Sequence, residues 1–136
     1  MTPQELRNRT KAFALAILRL TRRLPKTDEG RVIARQLMRS GISVGANYRA
    51  VCRARSDAEF VAKLGTVIEE CDETLFWLEL LTEASICALS RLKSELAEGN
   101  ELLRIFAASR ETVRRRLRHA KSKSQNHKSQ ISNHKS

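Results

Sequence analysis

Arg31, Arg35, Arg39, Arg49 and Arg53 recur in one stretch of the chain. At 100° per residue they fall within about 80° of one another on a helix. A guanidinium is a planar fork of donors that matches phosphate oxygens. Such a stripe therefore suits contact with the backbone of RNA or DNA. Arg19, Arg22 and Arg23, with Lys26, lie in the preceding helical segment and extend the patch. Backbone contact of this kind predicts weak sequence specificity and steep salt dependence. Aromatics are only 4% of the chain, so few rings are available to stack on bases. The same stripe also fits a solvated helix face, or a face paired with acidic segments of the chain.

Other chemistries lack their residues. A di-metal site in a helical bundle needs Glu-x-x-His pairs projecting inward. His119, His127 and His134 all fall near the C-terminus, and none has a Glu three residues before it. The same placement removes a Ser-His-Asp or Cys-His arrangement from the core. Without a Cys-x-x-Cys pair no zinc site is expected, and no other metal or cofactor is implied. Ser40–Asn47 has the glycines of a phosphate loop but neither the closing Gly-Lys-Ser/Thr nor a preceding strand. Close helix packing around Gly41, Gly45 and Asn47 accounts for it better. The carboxylates Glu69, Glu70, Asp72, Glu73, Glu79 and Glu83 read as a solvated face or as partners for the arginine-rich helices. They lack a histidine to organise acid–base catalysis, and no enzymatic activity is expected.

The elements that would position the stripe are all helical. With 5 Gly and 2 Pro in 136 residues the chain is poor in turn formers, and it is rich in Leu, Ala, Arg and Glu. Thr2-Pro3-Gln4-Glu5 is a capping box that opens a first helix running to about Leu24, where Pro25 stops it. Its core side is Leu6, Phe13, Ile17, Leu20 and Leu24. Thr27 or Asp28 caps a second helix, whose core face is Ile33, Leu37, Val44, Tyr48 and Val51. Ala34, Gly41, Gly45 and Cys52 form a strip of small side chains on the same helix. Ser56-Asp57-Ala58-Glu59 opens a third helix to about Thr82, with Phe60, Leu64, Val67, Ile68, Cys71, Leu75 and Leu78 on its core face. Phe76, Trp77 and Leu80 lie off that face, which suggests a second buried surface, most simply a subunit contact. A fourth helix runs from about Leu89 to Ala120 with Leu92, Leu96, Leu103, Phe106, Val113 and Leu117 as its stripe, and Gly99-Asn100 as a weak point. The expected fold is all-α, an up-down antiparallel four-helix bundle over residues 1–120.

The formal net charge of +11 is unevenly spread: +10 over residues 1–55, −7 over 56–111 and +8 over 112–136. Residues 121–136 repeat Asn-His-Lys-Ser and have almost nothing to bury, so a disordered basic tail is expected there. The apolar run Ala12–Leu18 is far shorter than the ~18 residues of a membrane span, and Arg19 interrupts it. Cys52, Cys71 and Cys87 are odd in number and far apart, which suits reduced, buried thiols in a cytoplasmic protein.

Two stretches carry a resemblance. Arg35–Arg49, with Ser-Val-Gly-Ala-Asn-Tyr at residues 43–48, is one. Ser56–Leu64 followed by Glu70–Leu81, with Glu-Thr-Leu-Phe-Trp-Leu at 73–78, is the other. Together they resemble the bacterial four-helix-bundle family named for 23S ribosomal RNA intervening sequences, which is related to the accessory variability determinant of diversity-generating retroelements. The resemblance covers about residues 5–117. It implies a homopentamer with a basic surface and a non-enzymatic role, and by analogy with the retroelement relatives it implies nucleic acid or a reverse transcriptase as partner. The family pattern usually has Glu three residues after the Asn; here that position is Ala50.

The combined expectation is a non-enzymatic homo-oligomer that binds RNA or DNA backbone through its first two helices. The alternative is a protein–protein scaffold or adaptor with no nucleic-acid role.

Overall fold

The computed structural model describes residues 1–134 of the chain and the side chains of residues 1–131. It contains four helices, α1 (Pro3–Arg22), α2 (Asp28–Cys52), α3 (Asp57–Glu83) and α4 (Leu89–His134). Consecutive helices pack antiparallel as an up-down bundle, while the seam between α1 and α4 is only sparsely closed.

Each of the first three helices starts where a side-chain oxygen can take a first-turn N–H. Thr2 accepts from the Glu5 N–H and Glu5 reaches back to the Thr2 N–H, completing the reciprocal box. Thr27, rather than Asp28, caps α2 through the Gly30 N–H, and Ser56 caps α3 through the Glu59 N–H. α3 ends at Glu83, within a residue of the expected Thr82. Ser85 adopts φ 58°, and the Ile86 N–H donates to the Leu81 carbonyl while the Ser85 N–H donates to that of Thr82. This is a Schellman closure made without glycine. It turns the chain directly into α4.

The predicted core faces of α1 and α2 are buried throughout, and α3 buries all of its predicted set except Phe60 and Ile68, which are half-buried. Leu81 and Leu102 also lie fully inside, and Tyr48 stacks on Phe106 across the bundle with ring centroids 5.8 Å apart. Each such aliphatic or aromatic side chain contributes about 1.5–3 kcal/mol through burial. Polar groups inside are partnered at the α2–α3 contact. There the Thr74 hydroxyl lies 2.9 Å from Ser40 Oγ and 2.8 Å from the Glu70 carbonyl, and Ser40 Oγ donates to the Gln36 carbonyl.

Two glycines set the helix spacing. A Cβ on Gly41 would sit 2.8–3.0 Å from the side chain of Ile17, so α1 presses into α2 at this point. Gly45, one turn on, faces the backbone of Thr10 at 3.2 Å; Asn47 is half-buried. Gly99, which the sequence suggests is a weak point of α4, is a packing notch. A Cβ there would come within 2.8 Å of Leu75, and the Gly99 carbonyl accepts from the Cys71 thiol at 3.4 Å.

α4 begins at Leu89, as expected, and is helical to His134. At 46 residues it is about 69 Å long. Residues 118–131 are exposed throughout. The second Asn-His-Lys-Ser copy ends outside the described residues.

Among the thiols only Cys71 is fully buried; Cys52 and Cys87, expected to be buried, are half-exposed because each lies at an end of the bundle. Burial pushes the Cys71 thiol up to about 12. In native protein at pH 8, maleimide labelling is expected to reach Cys52 and Cys87 and to spare Cys71 until the chain unfolds. The Cys71 contribution to stability is present below the ordinary thiol value of 9.0 and is lost as pH rises from there to about 12. A second expectation separates two glycines by sign. Gly41→Ala should destabilise by about 1–3 kcal/mol in denaturant titrations. Gly65→Ala, where a Cβ meets nothing within 4 Å, should stabilise by about 0.5–1 kcal/mol.

Candidate nucleic-acid interface

Because α1 beds into the Gly41–Gly45 notch, the outer side of the α1–α2 pair forms a shallow seam along the bundle. One end of the seam is a cleft of about 370 Å³ lined by Leu18, Thr21, Arg22, Lys26, Arg31, Ala34, Arg35 and Met38. The adjacent stretch is lined by Lys11, Ala14, Ile42, Gly45, Ala46, Arg49 and Arg53. Arg7 joins Lys11, Arg49 and Arg53 at the far end. The seam is therefore basic at both ends and apolar between them. Ile42, in that middle stretch, remains 43% exposed. From Arg31 to Arg53 the α2 axis spans about 33 Å.

The structure divides the predicted arginine set. Arg22, Arg31, Arg35, Arg49 and Arg53 share this seam. Arg39 turns the other way and pairs with Glu70 at 3.3 Å and with Glu73, both on α3. Arg31 also lies 3.8 Å from Asp28 in its own first turn. Arg23 lines a separate cleft between α1 and α4, and Arg19 is exposed on α1. Arg7 and Lys11 were missed as members of the surface. Their i, i+4 spacing on α1 was the available signal, but only the packing of α1 on α2 puts them beside Arg49 and Arg53.

The acidic half of the bundle is partly used within the chain. Glu70 and Glu73 hold Arg39, and Glu73 also accepts the indole N–H of Trp77 at 3.1 Å. On α4, Glu98 takes the Arg9 fork through contacts of 2.9 and 2.6 Å, and Glu101 adds a contact at 3.0 Å. These hydrogen bonds raise the Arg9 guanidinium's affinity for its proton, Glu98 first and Glu101 second. A bidentate charge-assisted pair of this kind stitches the open α1–α4 seam.

Of the three residues expected to make a subunit contact, Phe76 is 52% exposed. Trp77 and Leu80 are half-buried and pack against the core, with Trp77 edge-on to Phe76 at 4.9 Å. The apolar surface left open on α3 is thus Phe76, with Glu69, Asp72, Glu79 and Glu83 exposed on the same helix. Among the described residues, no three His, Cys, Asp or Glu side chains come together as a metal-binding group. No helix there is long and apolar enough to cross a membrane.

Residues 4–108, more than three quarters of the chain, match the 23S rRNA-intervening sequence protein family. The chain belongs to that family. It is also similar to a crystal structure of a protein with unknown function from the S23 ribosomal protein family of Bacteroides thetaiotaomicron VPI-5482. Identity is 29% and the TM-score 0.75, with 82% of this chain and 99% of that one covered. Among curated proteins the chain has no match. Family membership accounts for the helical scaffold that holds the basic seam. Ala50 is half-buried near the end of α2.

Proposed function

We propose that this family member is a non-enzymatic, homo-oligomeric bundle, a pentamer by the resemblance, that binds RNA or DNA backbone along its α1–α2 seam. The observation that carries the reading is the pair of cation clusters on one edge. Arg22, Lys26, Arg31 and Arg35 form one cluster, and Arg7, Lys11, Arg49 and Arg53 the other. Two clusters on a shared edge favour an extended polyanion over a single phosphate ligand. Oligomerisation would repeat the edge and multiply contacts that are individually weak. The competing reading is a scaffold for another protein, supported by exposed Phe76 on the acidic helix α3.

Filter binding against salt tests the nucleic-acid reading. Log affinity should fall with log salt at a slope of about −3 or steeper. Arg35→Glu/Arg49→Glu should lose at least about tenfold in affinity, by removal of phosphate contacts. Arg39→Gln, already paired to α3, should stay within about twofold. Truncation after Ala120 separates any contribution of the tail. Absence of binding at low salt, or binding unchanged in the double variant, overturns the proposal. A pull-down that recovers a protein without nucleic acid supports the scaffold instead.

Light scattering checks assembly. Wild-type protein at micromolar concentration should sediment and scatter as an oligomer, and Phe76→Glu should shift it toward monomer. A wild-type monomer would contradict the assembly.

A further inference from the structure

The sparsely closed α1–α4 seam opens near the start of α4 into a cleft of about 400 Å³. Its lining mixes both charges. Glu95 is only 8% exposed, and its Oε2 has no hydrogen-bond partner among the described residues. Arg23 and Arg91 line the same cleft and are exposed, and Ser90 and Ser94 add hydroxyls. Leu20, Leu24 and Cys87 supply an apolar wall. A carboxylate so deeply buried is costly unless something donates to it. Neither arginine donates to that oxygen in this structure.

We propose that this cleft binds a free α-amino acid with an apolar side chain. The charges decide the ligand class. A simple anion would meet the buried Glu95 carboxylate, and a simple cation or polyamine would meet Arg23 and Arg91 at the rim. A molecule with an ammonium group and a carboxylate complements both. The ammonium goes inward to the Glu95 carboxylate, the only acidic side chain among the described residues that line the cleft. The carboxylate goes outward to the guanidinium forks. The apolar wall takes the side chain. The volume lies within the usual range of roughly 300–1,000 Å³ for small-molecule sites. The cleft is separate from the basic seam on the α1–α2 edge, so the proposal does not depend on nucleic-acid binding.

Thermal shift and calorimetric titration of the full chain with L-leucine test this. At 10 mM, with a dissociation constant near 1 mM, the melting temperature should rise by about 5 °C. 4-Methylpentanoate, which lacks the ammonium, and isopentylamine, which lacks the carboxylate, should each bind at least about tenfold more weakly. Lysine and glutamate should also bind more weakly than leucine, because their charged side chains would meet the apolar wall. Glu95→Gln keeps the shape and should lose leucine binding by at least about tenfold while its circular dichroism stays native. Arg91→Ala, on an exposed side chain, gives a second variant that should fold and bind less. The proposal is overturned by no binding at 50 mM, by equal binding in wild type and Glu95→Gln, or by isopentylamine binding as well as leucine.

Discussion

The contact on which the candidate surface depends is the seating of Ile17 against Gly41. No side chain larger than hydrogen fits there without displacing the α1 side chain. The close approach lets two strongly basic helices share an edge despite their like charge. At a spacing of several ångströms in water, repulsion between exposed guanidinium groups is modest and screened by salt. Burial of Phe13, Ile17, Leu20, Leu37 and Val44 beneath them is worth several times more. Packing therefore wins over electrostatics, and the positive field is held on one face.

The negative half of the bundle then has two kinds of work. Glu70 and Glu73 draw Arg39 across to α3, and Glu98 with Glu101 draws Arg9 across to α4. Both contacts sit at the rim of the core, where surface pairs contribute little to stability but choose among neighbouring geometries. Arg39 is lost from the basic seam as a consequence. The α1–α4 side is held differently. It has fewer packed residues, relies on the Arg9 fork, and opens beside Glu95 into a cleft with a buried carboxylate.

Much of the scaffold was legible in the sequence because its signals are local. Thr2, Thr27 and Ser56 each cap a helix through a hydroxyl that needs only the next three residues. The buried face of α2 follows from the 3.6-residue period, and Ile33, Leu37, Val44, Tyr48 and Val51 all lie inside. Where the signal was not local, the reading missed. Ser85 closes α3 in a left-handed conformation usually given to glycine, so the end near Thr82 was legible but the way it closes was not. Gly99 read as a helix defect because its partners, Leu75 and Phe13, come from two other helices.

The sequence by itself determined the number of helices, their starts, the core faces of α1 and α2 with most of that of α3, and the strong charge asymmetry between the halves of the chain. Only the tertiary structure decided which charges act together. Helical periodicity gives a direction about a residue's own axis, but not what stands on that side. Arg35 and Arg39 differ by about 40° on α2, yet one lies in the open seam and the other is bound by α3. Arg22 and Arg23 are neighbours in the chain and line different clefts. Arg7 and Lys11 join Arg49 and Arg53 only because α1 runs antiparallel against α2 at a depth set by two glycines.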